Sequence, residues 1–389
     1  MNKKEIIKNL LDEIEGLKDK KGYIQAGSPR FNGLFGRDSL IVAWQLLKHD
    51  PLVAKNTLSI LASLQGKNED RDTGEEPGKI LHEYYPKSTP DKWWNEHKEK
   101  VKWLKRGKPV YMSIDSTPLF LIVFEKYLNY TKDFDLAKKL LPSIKKAYSW
   151  MINYSNDNGF LEYERKTSEG LFHQAWKDSN MEKLKVEPPI SVAEAQGYKY
   201  IALKSTANIM KKLNCDPKEI ERLTKEANFV KKSFNQFFWI KEENHYALAL
   251  DGDGKQRGKA SSNPGHLLFT GIVEKRRSDL VVSRLFKKDM WTPYGIRTYS
   301  SDEPEFEVLS YHIGTVWPHD NWIISQGLKK MGYNKEYNKI KKGLLKAYEK
   351  LGFIPELYGV DKKNNLVEYE NACKIQAWSL GALLNLLLE

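Results

Sequence analysis

A chain of 389 residues, 40% of them hydrophobic, can bury a large core. It holds no run of about 18 apolar residues, and its opening stretch is charged and amphipathic rather than signal-like, which excludes a membrane span and predicts a cytoplasmic protein. Two cysteines exclude a disulfide framework, and a net charge of +12 carried by 52 lysines against 11 arginines reads as solvated helix surface, not as a nucleic-acid footprint.

Helical periodicity dominates the readable stretches. At Gly36-Arg37-Asp38-Ser39 a charged pair stands before an apolar run, the pattern of a helix start with Asp38 or Ser39 as N-cap. Amphipathic segments follow at 52–64 and 117–130, then a stripe through Ala137, Leu140, Leu141, Ile144, Tyr148 and Met151. Further helices are expected at 191–212, along Ile220, Leu223, Ala227, Val230, Phe234 and Phe237, and at 320–332, 335–351 and 376–388. Only short pieces such as HYALALD, followed by GDG, read as strand and turn. The expectation is an all-α chain forming a single domain over 1–389, built of helical hairpins.

Long loops rich in aromatic and charged residues separate these helices, at 22–38, 72–115, 160–190, 251–266, 291–320 and 353–373. Loops of that length in a compact domain usually carry function. They contain Trp176, Lys177 and Asp178 in AWKDS, His82 and Glu83 in ILHEY, Arg297 in YGIRTYSSDEPEF, His312, Trp317 and His319 in SYHIGTVWPHDN, and Glu356 in IPELYG. Flat apolar rings beside hydrogen-bonding groups suit a sugar, which offers a C–H face to stack and a rim of hydroxyls to bind.

Glycoside hydrolysis needs two carboxyl groups, and Asp178 and Glu356 are the candidates. Read without that chemistry, Asp178 caps a helix starting near Ser179, and Glu356 is a first-turn acid of another helix. Trp176 would raise the Asp178 pKa by desolvation; Lys177 would oppose that shift with its ammonium turned inward. His82, Glu83, His312 and His319 lack metal-ligand spacing, so neither a metal nor another cofactor is expected. DGDGKQRG from Asp251 is part of a calcium-loop pattern, but position twelve is Ser262 instead of glutamate, so it reads as a turn.

Nine blocks, FGRDSLI, EPGKILHE, SIDSTPLFLIVFEKY, AWKDS, SSNPGHLL, YGIRTYSSDEPEF, SYHIGTVWPHDN, IPELYG and QAWSLGAL, occur in this order between residues 35 and 383. Together they resemble the catalytic domain of bacterial and archaeal proteins of the amylo-α-1,6-glucosidase (glycogen debranching) family. The resemblance implies an (α/α)6 toroid of the six-hairpin glycosidase type, with the active site where the inner helices and their loops converge. It implies Asp178 as general acid and Glu356 as general base of an inverting hydrolase that releases glucose from α-glucosidic bonds.

By the same resemblance Arg37 and Asp38 clamp the terminal sugar, and Trp176, Trp317 and Trp378 stack on it. His82, Glu83, Asp115, Lys177, Arg297, His312 and His319 complete the expected binding set. Eukaryotic members resemble the block YHIGTVW but place a glutamate there, where this chain has Thr315 and Val316, so Glu303 stands as the alternative base. Many bacterial relatives carry a β-rich domain before the toroid; this chain has about thirty residues there, which favours small oligosaccharides over glycogen. Trehalose, maltose-type and glucosylglycerate-type substrates, a phosphorylase on the same fold and a non-catalytic sugar binder are the alternatives.

Overall fold

Two kinds of helix alternate along the chain, and their burial separates them. The computed structural model describes residues 2–98, 101, 103–179 and 181–389, and among them the α-helices are α1 (Lys3–Gly16), α2 (Gly36–Leu46), α3 (Pro51–Ser63), α4 (Asp91–Lys98), α5 (Ser116–Thr131), α6 (Phe134–Asn153), α7 (Ala193–Lys212), α8 (Pro217–Phe237), α9 (Asn263–Thr270), α10 (Lys275–Leu285), α11 (Pro318–Met331), α12 (Asn334–Leu351) and α13 (Ala377–Leu388). Helices α2, α5, α7, α9, α11 and α13 are buried over most of their surface. They touch one another in a closed cycle: α2 with α5, α5 with α7, α7 with α9, α9 with α11, α11 with α13, and α13 back to α2.

Each member of the cycle carries an outer helix. These are α3 on α2, α6 on α5, α8 on α7, α10 on α9, α12 on α11 and α1 on α13. The sequence explains the division, because α13 reads AWSLGALLNLLL with no charged residue, whereas α8 and α12 bury single stripes such as Leu223, Ala227, Val230 and Phe234 and turn lysines outward. One hydrophobic cluster runs from Ile6 in α1 to Leu387 in α13.

Helices α9 and α11 approach unusually closely, and glycine permits it. A Cβ on Gly265 would stand 2.6 Å from Ile324, and one on Gly327 would stand 2.5 Å from Leu268. Among the described residues no helix is long and apolar enough to cross a membrane.

Short strand pairs stand immediately before several of the central helices. Leu34–Phe35 pairs with Glu83–Tyr84 ahead of α2, Ser191–Val192 with Ala249–Leu250 ahead of α7, and Ile375–Gln376 with Gly27–Ser28 ahead of α13. Val316, just before α11, bridges both Arg297 and Tyr358. These pairings tie loops far apart in sequence to the N-terminal ends of the central helices.

The expected helices at 52–64, 117–130, 191–212, 320–332, 335–351 and 376–388 correspond to α3, α5, α7, α11, α12 and α13. Helix α4 forms inside the stretch expected as the loop 72–115, and α9 begins inside the loop 251–266. All eight residues of α9 are buried, so it has no polar face to create a period.

The start of α2 also differs from expectation. The helix begins at Gly36 with Phe35 at the cap position and no side-chain cap, while Ser39 Oγ donates to the Ile24 carbonyl at 2.8 Å. No helix begins at Ser179 or Glu356; a 3-10 turn at Met181–Leu184 follows Asp178, and Glu356 lies in a bend, its N–H donating to the Cys373 carbonyl at 2.9 Å.

Candidate active site

A cavity of about 760 Å³ opens at the end of the helix cycle where those strand pairs lie. Its wall takes Arg37 and Asp38 from the first turn of α2, Glu83 from the strand that pairs with Leu34–Phe35, His82 just before that strand, and Gln376 and Trp378 from the start of α13. The long loops add Trp176, Asp178, Tyr311, His312, Trp317 and Glu356. Four carboxyl groups therefore share one pocket: Asp38, Glu83, Asp178 and Glu356.

Their environments differ. Glu356 is buried, and its two oxygens are separately held: Tyr311 Oη donates to Oε1, and the Cys373 N–H donates to Oε2 at 2.9 Å. Burial pushes Glu356 up to about 7, while the Cys373 and Tyr311 donors favour its carboxylate. Asp178 keeps a side chain 30% exposed, accepts from Ser179 Oγ at 3.1 Å, and lies 3.9 Å from His312 Nδ1. Burial raises its pKa and the Arg37 guanidinium opposes the rise.

Asp38 is pushed up to about 7 by burial, against the pull of Arg37, with Glu356, Asp178 and Asp115 adding repulsion. Gln376 Nε2 donates to its Oδ1 at 3.3 Å. Glu83 is likewise raised to about 7 by burial, while Trp103 Nε1 donates to its Oε1 at 3.1 Å. His82, beside Arg37, is driven down to about 3 by burial. Its imidazole is neutral at physiological pH.

Aromatic rings form the deeper wall. Trp317 stacks on His312 with ring centres 4.9 Å apart, Trp378 on His319 at 3.7 Å, and Trp176 on His266 at 5.7 Å. The indole N–H groups of Trp176 and Trp378, Nδ1 of His82 and Nε2 of His312 are buried without a protein hydrogen-bond partner among the described residues. Such groups are costly in an empty site and are met by ligand hydroxyls or water.

Four residues of the expected binding set stand outside the cavity wall. Lys177 turns away from the pocket and donates to the Thr298 carbonyl at 2.7 Å, while its neighbours Trp176 and Asp178 stand on the wall. Arg297 donates to the carbonyls of Val360 and Asp361 at 2.9 and 3.1 Å. His319 lies beneath Trp378, and Asp115 lies behind Arg37, 3.5 Å from its Nε. Glu303, the alternative base, is also absent from the wall and sits in a turn whose N–H bonds to Ser300.

Sequence reasoning missed Tyr311, Gln376, Tyr369 and Trp103, all on the wall. Tyr311 and Gln376 stand inside the motif blocks SYHIGTVW and QAWSLGAL, so adjacency was the available signal. Among the described residues no group of three or more His, Cys, Asp or Glu side chains could hold a metal ion.

The motifs and this pocket place the chain by class among the glycoside hydrolases. The amylo-alpha-1,6-glucosidase family profile matches residues 103–385, and the chain belongs to that family. Mannosylglycerate hydrolases MGH1 and MGH2 of Selaginella moellendorffii are each 33% identical over 102 residues, which is 25% of this chain and 20% of theirs; the match thus spans about a fifth of those relatives.

Solved structures share the fold along nearly the whole chain. The GH63 mannosylglycerate hydrolase of Thermus thermophilus, in complex with Tris and D-glycerate, superposes with a TM-score of 0.73 at 15% identity, covering 98% of this chain and 99% of that one. The same enzyme with glucose gives 0.72 at 17% identity, with the same coverage. A rhamnosidase from Klebsiella oxytoca with rhamnose bound gives 0.64 at 12% identity, covering 97% of this chain and 62% of that one.

Proposed function

We propose that this chain is a single (α/α)6 toroid domain over residues 1–389 that hydrolyses a small α-hexoside with inversion of configuration, Asp178 acting as general acid and Glu356 as general base. The closed cycle of six central helices, each backed by an outer one, supports the toroid. The observation that carries the mechanism is the unequal treatment of two carboxyls in one pocket: Glu356 is clamped by two donors, whereas Asp178 is partly open.

In the reaction the Asp178 proton passes to the glycosidic oxygen as the bond from the anomeric carbon breaks. Glu356 takes a proton from a water that attacks the same carbon from the opposite face, so an α-glycoside yields a β-sugar. Two carboxyl groups about 6.5 to 9.5 Å apart leave room for that water. Tyr311 and the Cys373 N–H keep both lone-pair faces of Glu356 in fixed directions. Asp38 and Arg37 bind hydroxyls of the sugar, and the indoles of Trp176, Trp317 and Trp378 pack against its C–H face.

The aglycone we favour is a small polar acid, giving a hexosylglycerate-type substrate. The matched relatives act on mannosylglycerate, a structural neighbour holds D-glycerate, and a pocket of about 760 Å³ accommodates a disaccharide-sized ligand better than a branched polymer. A small α-gluco-oligosaccharide is the second reading, on the strength of the family match.

The test is proton NMR of the purified protein with glucosylglycerate, mannosylglycerate, isomaltose, panose, maltotriose and trehalose. First appearance of the β-anomer from a hexosylglycerate is the expected result. An α-anomer appearing first would overturn the two-carboxylate water mechanism, and turnover that starts only on adding phosphate would make the protein a phosphorylase.

A further inference from the structure

At the opposite end of the helix cycle a second cavity, of about 400 Å³, is lined by Trp44 of α2, Lys126 of α5, Phe269 of α9, Lys329 and Lys330 of α11, and Lys48 beyond α2. Two acidic residues, Glu125 and Glu389, line it as well, each with partners of its own. Glu125 accepts from Ser205 Oγ at 2.6 Å and Asn208 Nδ2 at 2.8 Å, and Glu389 accepts from Lys329 Nζ and Tyr337 Oη, both at 2.8 Å.

Lysines at helix C-termini ordinarily offset the helix dipole, and that accounts for Lys329 and Lys330 in the last turn of α11. Lys330 also donates to the Phe269 carbonyl at 2.7 Å. Lys126 has no such explanation. It stands before the last turn of α5, and its ammonium lies 4.1 Å from the centre of the Trp44 ring. No hydrogen bond or ion pair within contact distance reaches that ammonium from the described residues, and its charged neighbours are Lys330 and Glu125. Burial, with Lys330 adding repulsion, lowers its pKa to about 8 against the opposing pull of the Glu125 carboxylate.

We propose that this far-end cavity binds a small multivalent oxyanion, inorganic phosphate or the phosphoryl group of a metabolite, seated on Lys126 over the Trp44 ring with Lys48, Lys329 and Lys330 around it. A compact ammonium on a flexible stem suits phosphate as a point charge, and the indole face holds it in place from below. The site is separate from the sugar pocket, which lies at the other end of the same helices.

Isothermal titration of the full chain at pH 7 and constant ionic strength, with inorganic phosphate in one arm and glucose 6-phosphate in the other, tests this. Saturable binding is expected, with the tighter arm showing whether the free ion or a phosphoryl ester is the better ligand. Lys126→Met should weaken it by at least about tenfold while leaving glycoside hydrolysis unchanged. Lys48→Met, at an exposed rim position, should fold normally and weaken binding less. Absence of saturable heat in both arms overturns the proposal, and so does an affinity unchanged in both variants, since the anion would then sit elsewhere.

Discussion

Tyr311 and Glu356, 45 residues apart, meet through the Tyr311 hydroxyl donating to Glu356 Oε1. With the Cys373 N–H on Oε2, that contact leaves the carboxylate in a single orientation within the cavity. Tyr311→Phe removes one donor and leaves the ring packed on Trp317. A hydrogen bond to a charged group contributes about 1.5 to 3 kcal/mol, so kcat should fall by roughly 10- to 100-fold. The acidic limb of the kcat/KM profile, along which the base loses its proton, should also move to higher pH, because the ionised form of Glu356 loses a stabilising donor. A variant with wild-type rate and an unmoved limb would remove Tyr311 from the mechanism.

Three acidic substitutions separate the carboxyl roles. Asp178→Asn and Glu356→Gln should each lower kcat by about 100-fold or more while retaining the wild-type circular dichroism spectrum. Glu303→Gln, outside the cavity wall, should remain near the wild-type rate. Strong loss in the Glu303 variant with a normal rate in Glu356→Gln would transfer the base to Glu303.

The buried carboxyls of the pocket should each contribute stability in mild acid that is lost in mild alkali. Asp38, Glu83 and Glu356 are each raised to about 7 by burial, above ordinary carboxyl values near 4. At these three groups the folded state binds more protons than the unfolded one between those limits, so their contribution to stability falls as pH rises through about 7. His82 and His245, lowered to about 3 by burial, instead contribute stability that grows as pH rises toward about 6.5. Thermal unfolding of wild type and Glu83→Gln, followed at intervals from pH 5 to pH 8, isolates one carboxyl: the variant's midpoint relative to wild type should rise with pH, because it lacks the group whose ionisation destabilises the fold. A difference between the two proteins that stays constant with pH would contradict the buried-carboxyl picture.

Arg37 and Asp115 form a buried pair beneath the pocket, at 3.5 Å, with both side chains nearly inaccessible. Arg37→Met strands the Asp115 charge and should cost about 3 to 5 kcal/mol in chemical denaturation. It should also impair turnover, since the guanidinium opposes the raised pKa values of Asp38 and Asp178. Asp115→Asn in the Arg37→Met background should recover part of the stability and little of the activity. Recovery of both would mean that Arg37 serves folding alone.

The features legible in the chain are those that water imposes on it. An outer helix such as α8 or α12 has one wet face, so its apolar residues fall three and four apart and its limits can be read from the chain. The motif blocks likewise carried Asp178, Glu356, Arg37 and Trp317 as site candidates, because charged and aromatic residues concentrated in long loops are conspicuous in one dimension. Helix α9, buried on every side, leaves no such period and was invisible.

Which of those residues face the cavity, and what holds them, depends on the folded arrangement. Lys177 and Arg297 look like sugar ligands in the sequence, but their cationic groups donate to carbonyls of Thr298, Val360 and Asp361, whose positions depend on distant loops. Gln376 reaches Asp38, and Tyr311 reaches Glu356, only because short strand pairs and bridges such as Gly27 with Gln376 and Val316 with Tyr358 bring the loops to one end of the helix cycle. Local periodicity reports the side of an element that meets water; the direction of a single side chain in a loop is set by long-range pairing, which leaves no local pattern to read.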